Sequence, residues 1–212
     1  MALDLATARE WYPHNDPVHG FDHIERVYRM AERLAQAEGA DLDIVRAAAL
    51  LHDIEGSNPG ENSRAGHHHQ SAEIAAEILR QEGWGEDRIA AVQHCIRAHR
   101  YRDQREPPAT IEAKVLFDAD KLDVLGAIGV VRVLGYALQA GQPAYAPPSA
   151  QFLETGEKET GEPHSAYHEF LFKLRRVKER LFTSAARRIA EERHAYLEGF
   201  FTRLIGEIHG ES

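Results

Sequence analysis

Apolar side chains recur at steps of three and four residues through most of this chain, and this helical period limits its fold more than any other feature. One such segment covers residues 21–38, and others run from Asp41 or Asp43 to His52-Asp53, from 70 to 81 and from 86 to 99. We find no stretch that alternates apolar and polar residues as a half-buried strand does. The pattern therefore predicts an all-α protein.

Segments rich in glycine, proline and polar residues separate the predicted helices. The first covers residues 56–66, and the second is the Pro-Pro pair at 107–108, after which another helical segment runs from 110 to 139. A third segment, residues 141–163, is long enough to predict a mobile loop or lid. A charged helical tail follows from about residue 164, with one break near Thr183.

These segments predict one all-α domain over residues 1–212, a length that allows a substantial buried core. The core is expected at about 14–140 and the C-terminal helices at about 164–209. A single cysteine, Cys95, excludes an internal disulfide and a zinc site built on cysteines.

Charge and hydropathy restrict the partners of the chain. The formal net charge is −9, and no basic run is interleaved with aromatic residues, which argues against stable nucleic-acid binding. A nucleotide stays compatible with this charge, since a metal and a few local cations can hold a phosphate. The first residues lack a signal-peptide pattern and no apolar run approaches about 18 residues, so we expect no membrane partner and a cytoplasmic location.

Histidine is unusually frequent, with 13 residues, many of them near acidic ones. His52 and Asp53 stand side by side where a helix is expected to end, and at a helix end two neighbouring side chains can reach one ion. Imidazole and carboxylate together suit Mn, Fe, Co, Zn or Mg better than a soft metal. The pair alone is a weak signal, because such a dipeptide also arises by chance in a His-rich chain.

Two further residues strengthen the metal hypothesis. His23 lies at the start of the amphipathic segment 21–38, and Asp120 lies in the otherwise apolar run around FDADKLD. A buried carboxylate without a partner is costly or becomes protonated, and a nearby cation removes that cost. Asp120 can instead cap a helix or pair with Lys121 or an arginine, and this alternative stays open.

The order and the surroundings of these residues carry a family resemblance. The phrases HGFDHIERV, AALLHDIE, IRAHRY and EAKVLFDADKLDVLGAIGVVRV resemble the HD-domain superfamily of metal-dependent phosphohydrolases over residues 14–135. Residues 164–207 resemble the C-terminal helices of a bacterial branch of small single-domain HD proteins. His23, the pair His52-Asp53 and Asp120 follow one another in the order of this family, each in a matching local context. This makes the resemblance more specific than a lone motif.

The resemblance implies a catalytic metal and a hydrolytic reaction. The implied protein ligands are His23, His52, Asp53 and Asp120. The implied ion is Mn²⁺, with Mg, Co, Fe, Zn or Ni as alternatives, and it would activate a water and polarise a phosphoryl oxygen. The bacterial branch includes enzymes that cleave nucleoside triphosphates to monophosphate and pyrophosphate, so the expected partner is a small phosphorylated substrate, a nucleotide. A homodimer is left open.

Lys121, Glu55 and Arg64 are candidates for catalysis or substrate binding beside this metal. Lys121 follows an implied ligand and can meet a phosphate, or it can be solvated or salt-bridged. Glu55 can order a metal-bound water or face solvent. Arg64 lies in the loop just after the His-Asp pair, where cations often touch substrate.

His69 and His99 are predicted to contact the substrate. His99 continues the apolar face of its helix, whereas His67 and His68 are expected to face solvent. Some HD proteins hold a second metal with two histidines at about the places of His69 and His99. We favour hydrogen bonds to phosphate or to a buried carbonyl, because the resembling branch is mononuclear.

Alternative functions follow from the same residues. A phosphomonoesterase or phosphodiesterase is a close rival, because the implied metal site does not choose which phosphorus is attacked. A di-iron oxygenase of the HD type is a more distant one and requires His69 and His99 as ligands. A non-enzymatic binding module would need a degenerate site, whereas all four implied ligand types are present.

Overall fold

The computed structural model describes residues 3–12, 20–55, 67–100 and 105–211, and all regular secondary structure in these ranges is helical. The predicted all-α fold is therefore confirmed. The described helices are α1 (Leu5–Arg9), α2 (Phe21–Glu38), α3 (Leu42–Leu51), α4 (His67–Gln81), α5 (Glu86–Ala98), α6 (Ile111–Leu122), α7 (Gly126–Gln139), α8 (Ala150–Thr155), α9 (Ala166–Phe172), a 3₁₀ helix (Leu174–Arg180) and α10 (Ser184–His209).

Local capping explains the ends of the helices that carry the chemistry. Helix α2 ends at Gly39, whose φ of 71° lies in the left-handed region that glycine adopts at little cost. The side chain of Asp41 then accepts hydrogen bonds from the backbone N–H groups of Asp43 and Ile44 and so begins α3. The predicted bounds of these two helices agree closely with the observed ones.

The chain divides into two compact units, and the first comprises Met1–Lys121 and Leu181–Ala186. In this unit α3 packs against α1, α2, α4 and α5, and α4 packs against α5. Fully buried leucine and isoleucine side chains belong to the core of this unit: Ile24, Leu34, Leu50, Leu51, Leu79, Ile89, Ile96 and Leu116. Each stabilises the folded state by about 1.5–3 kcal/mol relative to exposure.

Two carboxylates of the first unit cap the beginning of α10. Asp118 is fully buried, and its Oδ2 accepts hydrogen bonds of 2.7 Å from both the backbone N–H and the hydroxyl of Thr183. Glu38 accepts a third bond from the N–H of Ala185 at 2.7 Å. These contacts satisfy N–H groups that a helix N-terminus leaves without internal partners, and they confirm the predicted break near Thr183.

The second unit comprises Leu122–Arg180 and Arg187–Ser212. Phe170 and Phe201 stack in its core with ring centroids 4.4 Å apart. The sequence predicted continuous helical structure up to about residue 139, but the chain breaks between α6 and α7. Gly126 has a φ of 70°, and a Cβ on Gly129 would lie 2.3 Å from the carbonyl oxygen of Val124, so this turn requires glycine at both positions.

The expectation of a loop over all of residues 141–163 is wrong in part. Residues 150–155 form α8, which Ser149 caps through a hydrogen bond from the N–H of Phe152. Glu162 then ties the segment together, because its carboxylate accepts hydrogen bonds from the N–H and the hydroxyl of Ser149, each at 2.7 Å. It also contacts Nε2 of the buried His168 at 3.0 Å.

Within the described ranges, no single helix is long and apolar enough to cross a membrane. Only the broken pair α6–α7 reaches that length and composition, when both helices are taken together.

Candidate metal centre

Three helix ends of the first unit bring His23, His52 and Asp120 together. His23 lies in the first turn of α2, His52 directly follows α3, and Asp120 lies in the last turn of α6. One ligand atom from each lies within 4.8 Å of the others, and His23 Nε2 is 3.5 Å from Asp120 Oδ1. Both histidines are buried. Residues far apart in sequence therefore form a compact set of nitrogen and oxygen donors.

Asp53 joins this cluster from the residue after His52. Its Oδ2 lies 3.7 Å from His52 Nε2, and its Oδ1 lies 3.6 Å from His99 Nε2. The helical hydrogen-bond pattern of α3 stops at Leu51, and a tighter turn follows in which the N–H of Ile54 donates to the carbonyl of Leu51. This helix end lets two adjacent side chains point to one place.

The ring of His52 is held in the form that a metal ligand needs. Its Nδ1 lies 2.9 Å from the carbonyl oxygen of Ala49, which can only accept, so Nδ1 carries the hydrogen. The lone pair is thereby left on Nε2, which is buried and has no hydrogen-bond partner within the described ranges. A lone pair buried beside carboxylates is unfavourable unless a cation lies between them, so the donor set fits a divalent metal.

His99 has the same arrangement at the end of α5. Its Nδ1 donates to the carbonyl of Ile96 at 2.5 Å, and its ring lies 5.2 Å from that of His52. Burial lowers the pKa of His99 to about 3, although Asp53 acts in the opposite direction, so the ring is neutral at pH 7. The structure confirms that His99 faces the cluster. Whether it contacts substrate or metal stays a prediction.

Both carboxylates of the cluster remain ionised at neutral pH. Burial by itself raises the pKa of Asp53, but His52, His99 and His23 together hold it below its ordinary value. Burial also raises the pKa of Asp120, and here Lys121 leads the groups that lower it well below the usual range. Two carboxylates with imidazole nitrogens form a donor set suited to Mn²⁺ and similar borderline or hard divalent ions.

The other predicted site residues fall in different places. Lys121 is largely buried, its ammonium contacts Asp120 Oδ2, and it lies 5.4 Å from the ring centroid of Phe117. It is thus salt-bridged to an implied ligand rather than solvated. Glu55 is exposed, and its backbone N–H donates to the hydroxyl of Ser71 at 3.3 Å. Arg64 lies outside the described residues.

The expectation for His68 was wrong. His68 is buried, whereas its neighbour His69 is exposed. The reason is that α4 begins at His67 instead of Gln70, so that His68 lies on the buried helix face that continues through Ala72, Ala75 and Leu79. Extending that period backwards from Ala72 would have found His68. Contact of His69 with the substrate stays a prediction.

The residues of this site lie in a part of the chain that resembles a known family. The family model described as HD domain matches residues 20–125, a span that contains His23, His52, Asp53 and Asp120. The chain belongs to the HD-domain family. It is 32% identical to the uncharacterised protein YpgQ of Bacillus subtilis over 195 residues, which are 91% of this chain and 85% of that protein.

Solved structures agree with this membership in the HD-domain family. The crystal structure of Bacillus subtilis YpgQ in complex with ADP matches with a TM-score of 0.74 and 30% identity, covering 99% of this chain and all of that one. A Bacillus thuringiensis protein described as an HD-superfamily hydrolase matches with a TM-score of 0.69 and 29% identity, covering 97% and 96% of the two chains. The resemblance found in the sequence is therefore confirmed.

Proposed function

We propose that this HD-family protein is a metal-dependent phosphohydrolase that cleaves nucleoside triphosphates to monophosphate and pyrophosphate. The observation that carries the proposal is the buried Nε2 lone pair of His52, which the Ala49 carbonyl directs into a cluster of ionised carboxylates. Such a centre has the composition of a catalytic metal site. Without a bound cation, burying these polar groups together would destabilise the folded protein.

Each residue of the cluster has a role in this proposal. His23, His52, Asp53 and Asp120 hold a divalent ion, which when bound supplies positive charge to a phosphoryl oxygen and lowers the pKa of a water. Lys121 neutralises part of the charge of Asp120 and of the transferring phosphoryl group. The oxygen of a water molecule bonds to the α-phosphorus of the nucleotide. At the same time the bond from the α-phosphorus to the bridging oxygen breaks, pyrophosphate leaves, and the proton of the water passes to solvent.

The choice of a nucleotide as substrate rests on the relatives. YpgQ, which is 30% identical over nearly the whole chain in the structural comparison, has been crystallised with ADP. A protein of net charge −9 needs local positive charge to bind a triphosphate, and Lys121 with the ion supplies it. Substrate choice depends on the pocket rather than on the fold, so the nucleotide is part of the proposal.

Product analysis tests the proposal. The purified protein, freed of metal and then supplied with Mn²⁺, is incubated with nucleoside triphosphates, monophosphates and cyclic dinucleotides, and the products are separated by chromatography. We expect monophosphate and pyrophosphate from a triphosphate, with turnover abolished by a chelator. Inorganic phosphate from monophosphates, or cleavage of cyclic dinucleotides alone, would replace the proposal by a monoesterase or a diesterase. Two tightly bound irons without hydrolysis would instead support the oxygenase alternative.

A further inference from the structure

We infer that Tyr12 is a positioning residue for the candidate metal centre: it holds the end of α3 and the start of α2 so that His23, His52 and Asp53 face one point. This inference rests on the proposed metal site and adds a residue that lies outside the implied ligands. Tyr12 comes just after α1, in a part of the sequence from which no site residue was predicted.

The hydroxyl of Tyr12 holds the end of α3, just before the His-Asp pair. Tyr12 is buried, and its hydroxyl donates a 2.7 Å hydrogen bond to the carbonyl oxygen of Leu50. A helix end leaves its last carbonyls without helical partners, and the N–H of Ile54 bonds to Leu51 instead of continuing the helical pattern to Leu50. The backbone N–H of Asp53 lowers the pKa of this hydroxyl, so it lies close to the Tyr12 oxygen. The end of α3 is thus tied to the Tyr12 side chain through Leu50, two residues before His52.

The ring of Tyr12 reaches the other ligand-bearing segment. Its centroid lies 5.6 Å from that of Phe21, which precedes His23 by two residues in the first turn of α2. The guanidinium of Arg9 lies 5.2 Å from the same Phe21 ring, and α1 packs against α3. One aromatic side chain therefore connects the start of α2 with the end of α3, which lie far apart in sequence.

The phenol remains in the state that this bridge needs. Burial raises the pKa of Tyr12 well above its ordinary value, and the negative charge of Asp53 adds to this effect. The neutral phenol keeps the hydrogen that it donates to the Leu50 carbonyl. Phenylalanine at this position would keep the ring contact with Phe21 and remove this hydrogen bond.

Metal titration of Tyr12→Phe tests the inference. Groups that orient metal ligands typically change metal affinity or activity by about 10–100-fold when they are removed. We expect Mn²⁺ to bind Tyr12→Phe about tenfold more weakly than the wild type by calorimetry, and kcat to fall while KM for the nucleotide changes little. The matched control is Tyr196→Phe, because Tyr196 is exposed on α10 and lies outside the site, so its affinity should equal that of the wild type.

The outcomes separate this inference from the function on which it rests. If the wild type binds Mn²⁺ and Tyr12→Phe binds it with the same affinity, the inference alone is overturned. This holds even if the variant is less stable than the wild type. A wild type that takes up no Mn²⁺ would overturn the metal centre, and the inference with it.

Discussion

At the scale of single residues, the candidate centre depends on which imidazole nitrogen carries the hydrogen. His52 and His99 both follow the last residue of a helix, and each donates from Nδ1 to the carbonyl three residues earlier. A histidine just past a helix end can make this bond because that carbonyl has lost its helical partner. The same bond turns each Nε2 towards Asp53, so the helix end fixes both the tautomer and the direction of the ring.

Lys121 carries the first prediction at this scale. Replacing it by alanine removes the ammonium group beside Asp120. In the proposed reaction this same group stabilises the negative charge of the phosphate. We expect Lys121→Ala to lower kcat/KM by at least about tenfold while the metal content per chain stays the same. Steady-state kinetics with metal analysis checks this, and Lys114→Ala on the same helix is the matched control. Loss of metal in Lys121→Ala would show that Lys121 supports the ligands rather than the substrate.

The sequence was enough to find the residues of the cluster but not the bonds that orient them. His23, His52 and Asp120 stood out because polar metal-ligand types interrupted apolar helical segments. The carbonyls of Ala49 and Ile96 could not be predicted as partners, since every residue has a carbonyl and only the position of a helix end shows which are available. His68 was missed because the start of α4 was placed three residues too late.

At the scale of the elements, the residues of the candidate centre lie at the ends of helices and not in their interiors. The ends of α3 and α5 and the beginning of α2 each present a histidine, and the last turn of α6 presents Asp120. Caps such as Asp41 and Gly39 could be predicted, because particular residue types mark them. The break after α6 and the short helix α8 were missed although Gly126 and the cap Ser149 mark them, because a single glycine or serine does not by itself distinguish a break from a continuous segment.

Glu162 carries a pH prediction at the scale of its segment. Burial by itself raises the pKa of Glu162, but the bonds from Ser149, His168 and the Glu159 N–H outweigh this and lower it from 4.5 to about 2. Because the folded pKa is the lower one, this contribution to stability is complete above pH 4.5 and is lost as the pH falls towards 2.

We therefore expect Glu162→Gln to lower the free energy of unfolding at pH 7, and its deficit against the wild type to shrink as the pH is lowered from 4.5 towards 2. Urea unfolding at a series of pH values measures this, with Glu154→Gln in the exposed part of α8 as the control. A deficit that is independent of pH would show that the ionised carboxylate is not what holds the segment.

At the scale of the whole molecule, the metal should act as a ligand of the folded state. The donors come from α2, α6 and the turn after α3, so an unfolded chain cannot hold them together. A ligand that binds only the folded state stabilises it by an amount that grows with the logarithm of its concentration.

Mn²⁺ is therefore expected to raise the melting temperature of the chelator-treated protein. At a Mn²⁺ concentration of about 100 times Kd the gain is about 2.7 kcal/mol. Differential scanning calorimetry across a Mn²⁺ series checks it, and Asp120→Asn, which keeps the size of the side chain and removes its charge, should show little change. Equal shifts in both proteins would place the binding of Mn²⁺ elsewhere on this acidic chain.

The most direct measurement for the central claim is the metal content of Asp53→Ala. The protein is loaded with Mn²⁺, desalted and analysed by mass spectrometry, with circular dichroism as a check of its helical fold and Asp87→Ala, an exposed acid on α5, as the control. We predict that the wild type and the control keep Mn²⁺ and hydrolyse nucleotide, whereas Asp53→Ala is helical, holds little Mn²⁺ and is inactive. A folded Asp53→Ala with full metal content and full activity would contradict the account.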